Sequence, residues 1–564
     1  MTADVRRSRP AVAARPISLV SRIYGIGSIF GKTLLDSRRA MIVFTGFIVV
    51  ILLVGGSAMA TSFGSLESRA EVTQLTRTLP QILLGLYGGP PPNVETLGGL
   101  TSWRYGEIFL LLPGFWSILA LSSTLVVEGR RGSLDLVAAV PASRRRIAIE
   151  KVAAHVAAMT LALVIIALVM FIVGSAFGTL PGDEIPLGAA FGYVLLMGLV
   201  GLASGAIAFA LAPLLGRGAA AGVAAVLLLG GWIIFGYRQA IPAFDALAPL
   251  SWFSWTGGHR PIAGIYDWPS LLPLAVIVVA GLVAGVVIFE RRDLAATGSV
   301  PTPGLPRALL GLRGPLGRTF GERFSTAMAW GLGLGIYGLG IASAGDSLRE
   351  SIAQNPAIAG MVSAVFPNLD LNDPGFGLQL GFLSFGYLAA GLAAATLVSG
   401  WASDETEGRF EFLLVSPITR FRWFARSGLG VFSAIVLVAV VISVGIALGV
   451  AATGDAPWTA ALGSTVLALY ACAVAGTGIA VAGLIRSSLA ATAVVVVAVA
   501  TLLLDIIVPA FKLPDWVHEF ALTAHFGEPM VGNWDVVGVV LAVAIAVGGL
   551  VIGAWGFSRR DLQS

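Results

Sequence analysis

Glu128 to Arg144 reads EGRRGSLDLVAAVPASR, and 276 residues further on Asp404 to Arg420 reads DETEGRFEFLLVSPITR. Both stretches run acid, Gly four residues later, a second acid after three, Pro after six and Arg after three more. The positions are Glu128, Gly132, Asp135, Pro141 and Arg144 in the first copy, and Asp404, Gly408, Glu411, Pro417 and Arg420 in the second. A second echo closes each half: FERRDL over Phe289–Leu294 and FSRRDL over Phe557–Leu562. Self-similarity at this distance means one structural unit used twice. The chain therefore divides into a half at 1–294, a linker at 295–325 and a half at 326–564.

Composition says where those units reside. Of 564 residues 57% are hydrophobic and 12% charged, with a mean hydropathy of +0.89, whereas soluble domains carry about 25% charge. Apolar blocks long enough to cross a hydrocarbon layer of about 30 Å lie at roughly 40–60, 107–127, 152–178, 187–214, 219–237, 270–289, 326–344, 377–400, 429–452, 459–484, 489–510 and 536–556. The reading is an all-α polytopic membrane protein with twelve transmembrane helices. With the N-terminus inside, 28 Lys and Arg fall in cytoplasmic segments and 7 outside, so the positive-inside bias predicts both termini in the cytoplasm. Six spans per half give both halves the same orientation, hence parallel six-helix repeats about an axis along the membrane normal.

The first block follows Arg6, Arg7, Arg9, Arg15 and Arg22 with no small-residue cleavage site behind it, and is read as a retained span. The linker is rich in Pro, Gly and Arg and is expected to be cytoplasmic. Segments 21–40 and 316–328 mix apolar and basic residues at helical spacing. They read as interfacial entry helices, with a plain basic flank of the next span as the alternative.

Several chemistries are disfavoured. GIGSIFGKT (Gly25–Thr33) approaches a phosphate loop, but Ile26 stands where the first glycine is required, and the segment adjoins a span. His155, His259, His518 and His525 have no second His or Cys at ligand spacing, so no metal site is expected. The single Cys472 sits in an apolar stretch and excludes an internal disulfide. Asp505, in TLLLDIIVP near the outer end of the eleventh block, is the main ionisable residue of a span; it either reaches the interface or faces a substrate cavity.

The duplicated loop calls for a partner. Asp135 opens an apolar run ending at Pro141, and Glu411 one ending at Pro417. An acid suits a helix N-terminus and Pro stops a helix, so each copy reads as a short cytoplasmic helix whose apolar face needs covering.

These two loops, six spans per half and the entry segments resemble the membrane subunits (permeases) of ABC-2-type transporters. The fused form is similar to exporters of polyketide antibiotics, tetronasin-type included. The resemblance covers essentially the whole chain and is most specific at the two loops. It implies that the ten motif residues belong to coupling helices seated on two copies of a separate ATPase subunit, which binds ATP and Mg. The chain itself then has no catalytic residue and holds no cofactor. The halves differ at Arg130 and Arg131, which align with Thr406 and Glu407, so the two docking sites are expected to be unequal.

By the same resemblance the second and fifth spans of each half wall a cavity for an amphipathic, largely apolar compound, moved outward. Phe115, Trp116, Phe385, Tyr387 and Asp505 are the candidate contacts; packing between spans is the alternative for each aromatic. An ion-coupled secondary carrier and a lipid-modifying membrane enzyme are the competing classes. The long outer segments at 61–106 and 345–376 are either exit caps or packing domains.

Overall fold

The computed structural model describes residues 28–124 except 80 and 86, 143–291 except 240, 314–350 except 347 and 348, 373–406, 418–510 and 513–560. Twelve of its helices are long and apolar enough to cross a membrane. They are α1 (Ile29–Ser62), α2 (Leu97–Ser123), α3 (Arg144–Phe177), α4 (Leu187–Leu215), α5 (Arg217–Tyr237) and α6 (Leu272–Arg291). The second half follows with α7 (Pro315–Ser343), α8 (Leu383–Thr406), α9 (Arg420–Ala452), α10 (Val466–Leu484), α11 (Ala490–Ala510) and α12 (Val536–Arg559). The protein is an all-α, multi-pass membrane protein.

Helix starts follow local chemistry. Ser28, Thr96, Ser143 and Thr419 each cap a helix by accepting a backbone N–H three residues on, and Asp535 accepts from Val537. Between spans, small residues let backbones touch. A Cβ on Gly445 would overlap the Gly335 backbone, which is why α7 and α9 pack so closely. The opposite faces show branched side chains outward, among them Val276 on α6, Val444 on α9 and Val540 on α12, each more than half exposed, as lipid-facing surface requires.

Each half uses the same helix partners. The first span packs on the third, and the fourth on the second, fifth and sixth. Between halves, α5 meets α7 and α1 meets α11, a reciprocal exchange of first and fifth spans.

The described residues carry no separate entry helix. Instead α1 runs unbroken for 34 residues and α7 for 29. Past the Ser28 cap nothing in α1 interrupts the hydrogen-bond ladder, and 34 residues reach ~51 Å, so the basic start of α1 extends beyond the hydrocarbon as part of the span. Likewise residues 315–325, assigned to the linker, form the first turns of α7.

Candidate functional site

Where α5 meets α7, aromatic side chains fill the seam between the halves. The Tyr237 and Tyr337 hydroxyls lie 3.2 Å apart, and Tyr337 donates to the Gly381 carbonyl at 3.1 Å. That carbonyl belongs to a π-helical turn at Leu378–Phe382 which leads into α8; such turns present backbone groups that a regular helix keeps to itself. Trp232 of α5 stands 5.3 Å from Phe385 of α8 and 6.2 Å from Tyr337, with Phe382 a further 5.4 Å neighbour of Tyr337. Both tyrosines are 1% exposed.

A second cluster closes the C-terminal end of α11. Asp505 accepts from Thr523 Oγ1 at 2.8 and 2.9 Å and pairs with His518 Nε2 at 3.0 Å. Tyr387 of α8, within electrostatic reach of Asp505, lies edge-on to Tyr470 of α10 at 5.3 Å and stacks on Phe526 at 6.0 Å.

Of the five candidate contacts, Phe385 thus lies in the seam, while Tyr387 and Asp505 share the second cluster. Trp116 joins neither: it sits inside the first half, 4.9 Å from Phe44 and 5.4 Å from His155. Phe115 is half-buried against the same core. Trp232, Tyr237 and Tyr337 were not singled out from the sequence, because which face of a uniformly apolar span meets the other half is set by rotation, not composition. Ser117 and His155, bonded at 2.9 Å and buried between α2 and α3, were also missed, as were Lys151, which reaches the Thr124 carbonyl, and Glu107, which pairs with Arg260 at 2.6 Å.

Of the duplicated motif, Glu128, Gly132, Asp135, Pro141, Gly408, Glu411 and Pro417 lie outside the described residues. Arg144 and Arg420 open α3 and α9, and Arg420 donates to the Arg560 carbonyl at 3.3 Å. Asp404 is 4% exposed with Arg318 of α7 at 3.6 Å. Its neighbour Glu405 takes Arg560, just past α12, and Ser487. The inner end of α8 therefore ties α7, α11 and α12 together.

Each half carries an Arg–Asp clamp between its first and third loops. Arg69 grips Asp183 with two bonds of 2.9 and 3.0 Å, both residues being 2% exposed or less. Burial alone would raise the Asp183 pKa, but Arg69 and the amides of Leu180, Leu97 and Thr179 outweigh it and hold the carboxyl below its usual value. The counterpart is Arg349 with Asp455 at 2.6 Å. Burial opposes the Arg349 charge, yet Asp455 and Asp346 leave its pKa raised. Each Asp follows a glycine of positive φ, Gly182 and Gly454.

The fifth and sixth spans are joined by matching hairpins, RPIAGIYD (260–267) and EPMVGNWD (528–535). Each turns on a short 3₁₀ segment and a left-handed glycine, Gly264 or Gly532, and each presses a carbonyl, Ile262 or Met530, onto a side-chain-free position, Gly98 or Gly375. Among the described residues no three His, Cys, Asp or Glu side chains converge on a metal-sized site.

Residues 27–294 match the family model described as ABC-2 family transporter protein, and residues 312–558 match that described as Multidrug efflux system permease Rv1217c, C-terminal domain. A relative, the multidrug efflux system permease protein Rv1217c of Mycobacterium tuberculosis, is 32% identical over 283 residues. That match spans 49% of this chain and 49% of the relative, about half the length of each.

Proposed function

The chain belongs to the ABC-2-type permeases, and from that premise we propose that it is a membrane subunit of an ATP-driven exporter of amphipathic, drug-like compounds. The observation that carries the reading is the match of both halves to permease families, one of them a multidrug efflux permease. Two copies of a separate ATPase subunit, binding ATP and Mg, dock beneath the chain, one on each copy of the duplicated loop. Both termini face the cytoplasm. The halves act as parallel repeats, a reading supported by the reciprocal contacts α5 with α7 and α1 with α11.

Mechanically, the seam is where such a transporter opens. Nucleotide-driven closure of the ATPases pushes on the two loops and rocks the halves, and Trp232, Tyr237, Tyr337 and Phe385 part or close. ATP drives that motion only through its differential affinity for the two states. Aromatic rings with one hydroxyl bond across the seam, Tyr237 to Tyr337, suit a contact that breaks and re-forms, because a neutral bond is worth only about 1 kcal/mol net. Asp404 and Glu405, tied to α7, α11 and α12, pass the push into the second half.

The test is co-purification with the neighbouring ATPase and ATP-dependent uptake of a fluorescent drug into inside-out vesicles. Asp135→Lys with Glu411→Lys is expected to abolish the complex and the uptake together. Full retention of both, or uptake that follows an imposed ion gradient without ATP, overturns the proposal in favour of an ion-coupled carrier.

A further inference from the structure

Buried carboxylates of the spans are met by arginine at Glu107 (Arg260), Asp404 (Arg318) and Glu405 (Arg560). Asp505 is treated differently. Among the described residues its bonds come from a threonine hydroxyl and a histidine ring nitrogen, which satisfy lone pairs without the permanent charge of an arginine. Its side chain is 31% exposed, so it is reachable while partly shielded from water, the setting in which a carboxylate attracts a cation more strongly than it does in bulk solvent.

The surroundings supply the other half of a cation site. Tyr387 of α8 lies within electrostatic reach of Asp505 and is only half-buried, with the buried rings of Tyr470 and Phe526 packed behind it. Aromatic faces attract organic cations through the ring quadrupole and cover the apolar groups such cations carry. At the matching place in the first half, RQAIPAF (238–244) against DIIVPAF (505–511), the sequence has Arg238 in place of the acid. The guanidinium of Arg238 lies 4.2 Å over the Phe235 ring, so the first half already holds its own cation on an aromatic face.

From this we propose that Asp505, with Tyr387, is a binding subsite for the positively charged group of a lipophilic cation at the outer end of the second half. The proposal rests on the exporter reading and adds to it the charge of the preferred substrate. Thr523 and His518 orient the carboxylate; the charge does the selecting.

The test uses two ions of the same shape and opposite sign, tetraphenylphosphonium and tetraphenylborate, binding to the full chain complexed with its ATPase in lipid nanodiscs without nucleotide. Asp505→Asn is expected to weaken tetraphenylphosphonium roughly tenfold or more and leave tetraphenylborate unchanged or tighter, while Tyr387→Leu costs the cation about threefold to tenfold. Thr523→Val and His518→Ala, which remove the ties and keep the charge, should hold cation affinity within about twofold or raise it. Thermal midpoints, recorded for every variant, identify any that fails to fold. Equal loss of both ions on Asp505→Asn in a folded protein, or no change in either, overturns the subsite. Because binding is read without ATP, that failure leaves the exporter reading standing; intact cation binding with no ATP-driven transport would do the reverse.

Discussion

The clamp-bearing faces of the two halves share a skeleton and differ in how they close their charges. In the first half Arg69 and Asp183 are sealed from solvent, Glu107 takes Arg260, and Arg238 folds onto Phe235. In the second, Arg349 and Asp455 keep 19% and 30% of their side chains exposed, and Asp505 is held by a threonine hydroxyl and a histidine ring nitrogen. The glycines before each Asp and the P-x-x-G hairpins are alike, so backbone geometry at those turns does not make the difference. What the comparison teaches is that two halves with a similar frame close their charges differently: the first seals its ion pair from solvent, and the second leaves its charged groups partly exposed.

The comparison breaks most visibly at the clamps. Removing one member of a buried pair strands the other charge in a dry site and costs ~3–5 kcal/mol, so Arg69→Ala should lower the thermal midpoint sharply or prevent folding. The milder Asp183→Asn keeps acceptor and shape and should be intermediate. Acid gives the same test without mutation. Because the Asp183 pKa is depressed in the fold, the stability it contributes is present above the ordinary carboxylate pKa of about 3.9 and is lost as pH falls through its lowered folded value. The midpoint difference between wild type and Asp183→Asn should therefore hold steady from pH 7 to about pH 5 and shrink only well below pH 4. A difference that collapses near pH 6 would mean the pair is not what stabilises this face.

A medium effect separates the interiors. Ser117 and His155 lie between α2 and α3, whereas the 276-residue shift places Ala393 and Val431 there in the second half. Ala393 also lines a small apolar cleft with Ile435 and Leu467. Ser117→Ala should cost ~1–3 kcal/mol by leaving a buried ring nitrogen unpaired. Ala393→Ser, which puts a hydroxyl into the apolar cleft, should cost a similar amount. Urea midpoints of the two variants check both; neutrality of Ala393→Ser would show that the cleft is wet.

How much of this the sequence discloses depends on range. The twelve spans were legible because each is a continuous apolar block, and the likeness of the two loops because EGRRGSLDLVAAVPASR and DETEGRFEFLLVSPITR keep their spacing. Asp505 stood out as a charge in an apolar block. Its partners did not, since His518 and Thr523 read as ordinary loop residues until α11 turns them back over it. Arg69 and Asp183 are 114 residues apart, and neither lies in a run that marks it. Continuous entry helices replaced separate ones because amphipathic composition signals a helix but not where its axis turns. The seam tyrosines were invisible for a related reason: a span apolar all round gives no phase by which to choose its inner face.

Smaller again is the seam. Tyr337→Phe removes both hydroxyl bonds and leaves the Gly381 carbonyl without its donor; Tyr237→Phe removes one bond and strands nothing. The first should cost ~1–2 kcal/mol and the second ~0.5–1 kcal/mol, with faster basal ATP hydrolysis in the complex if this contact holds the halves closed. Midpoints and basal hydrolysis measured together decide whether the hydroxyls stabilise one state or merely fill space.

The smallest effect closes the comparison with the clamps. Arg349 bridges Asp346 and Asp455 near solvent, and pairs of that kind contribute ~0–1 kcal/mol because water screens the attraction and ordering the side chains costs entropy. Arg349→Ala should move the midpoint slightly, and added salt should shrink even that, whereas the Arg69→Ala penalty should be nearly salt-independent because no solvent reaches the pair. A double-mutant cycle on each clamp makes the contrast quantitative. If Arg349 and Asp455 couple as strongly as Arg69 and Asp183, the second half is as rigidly closed as the first, and the functional asymmetry must then rest on Asp505 alone.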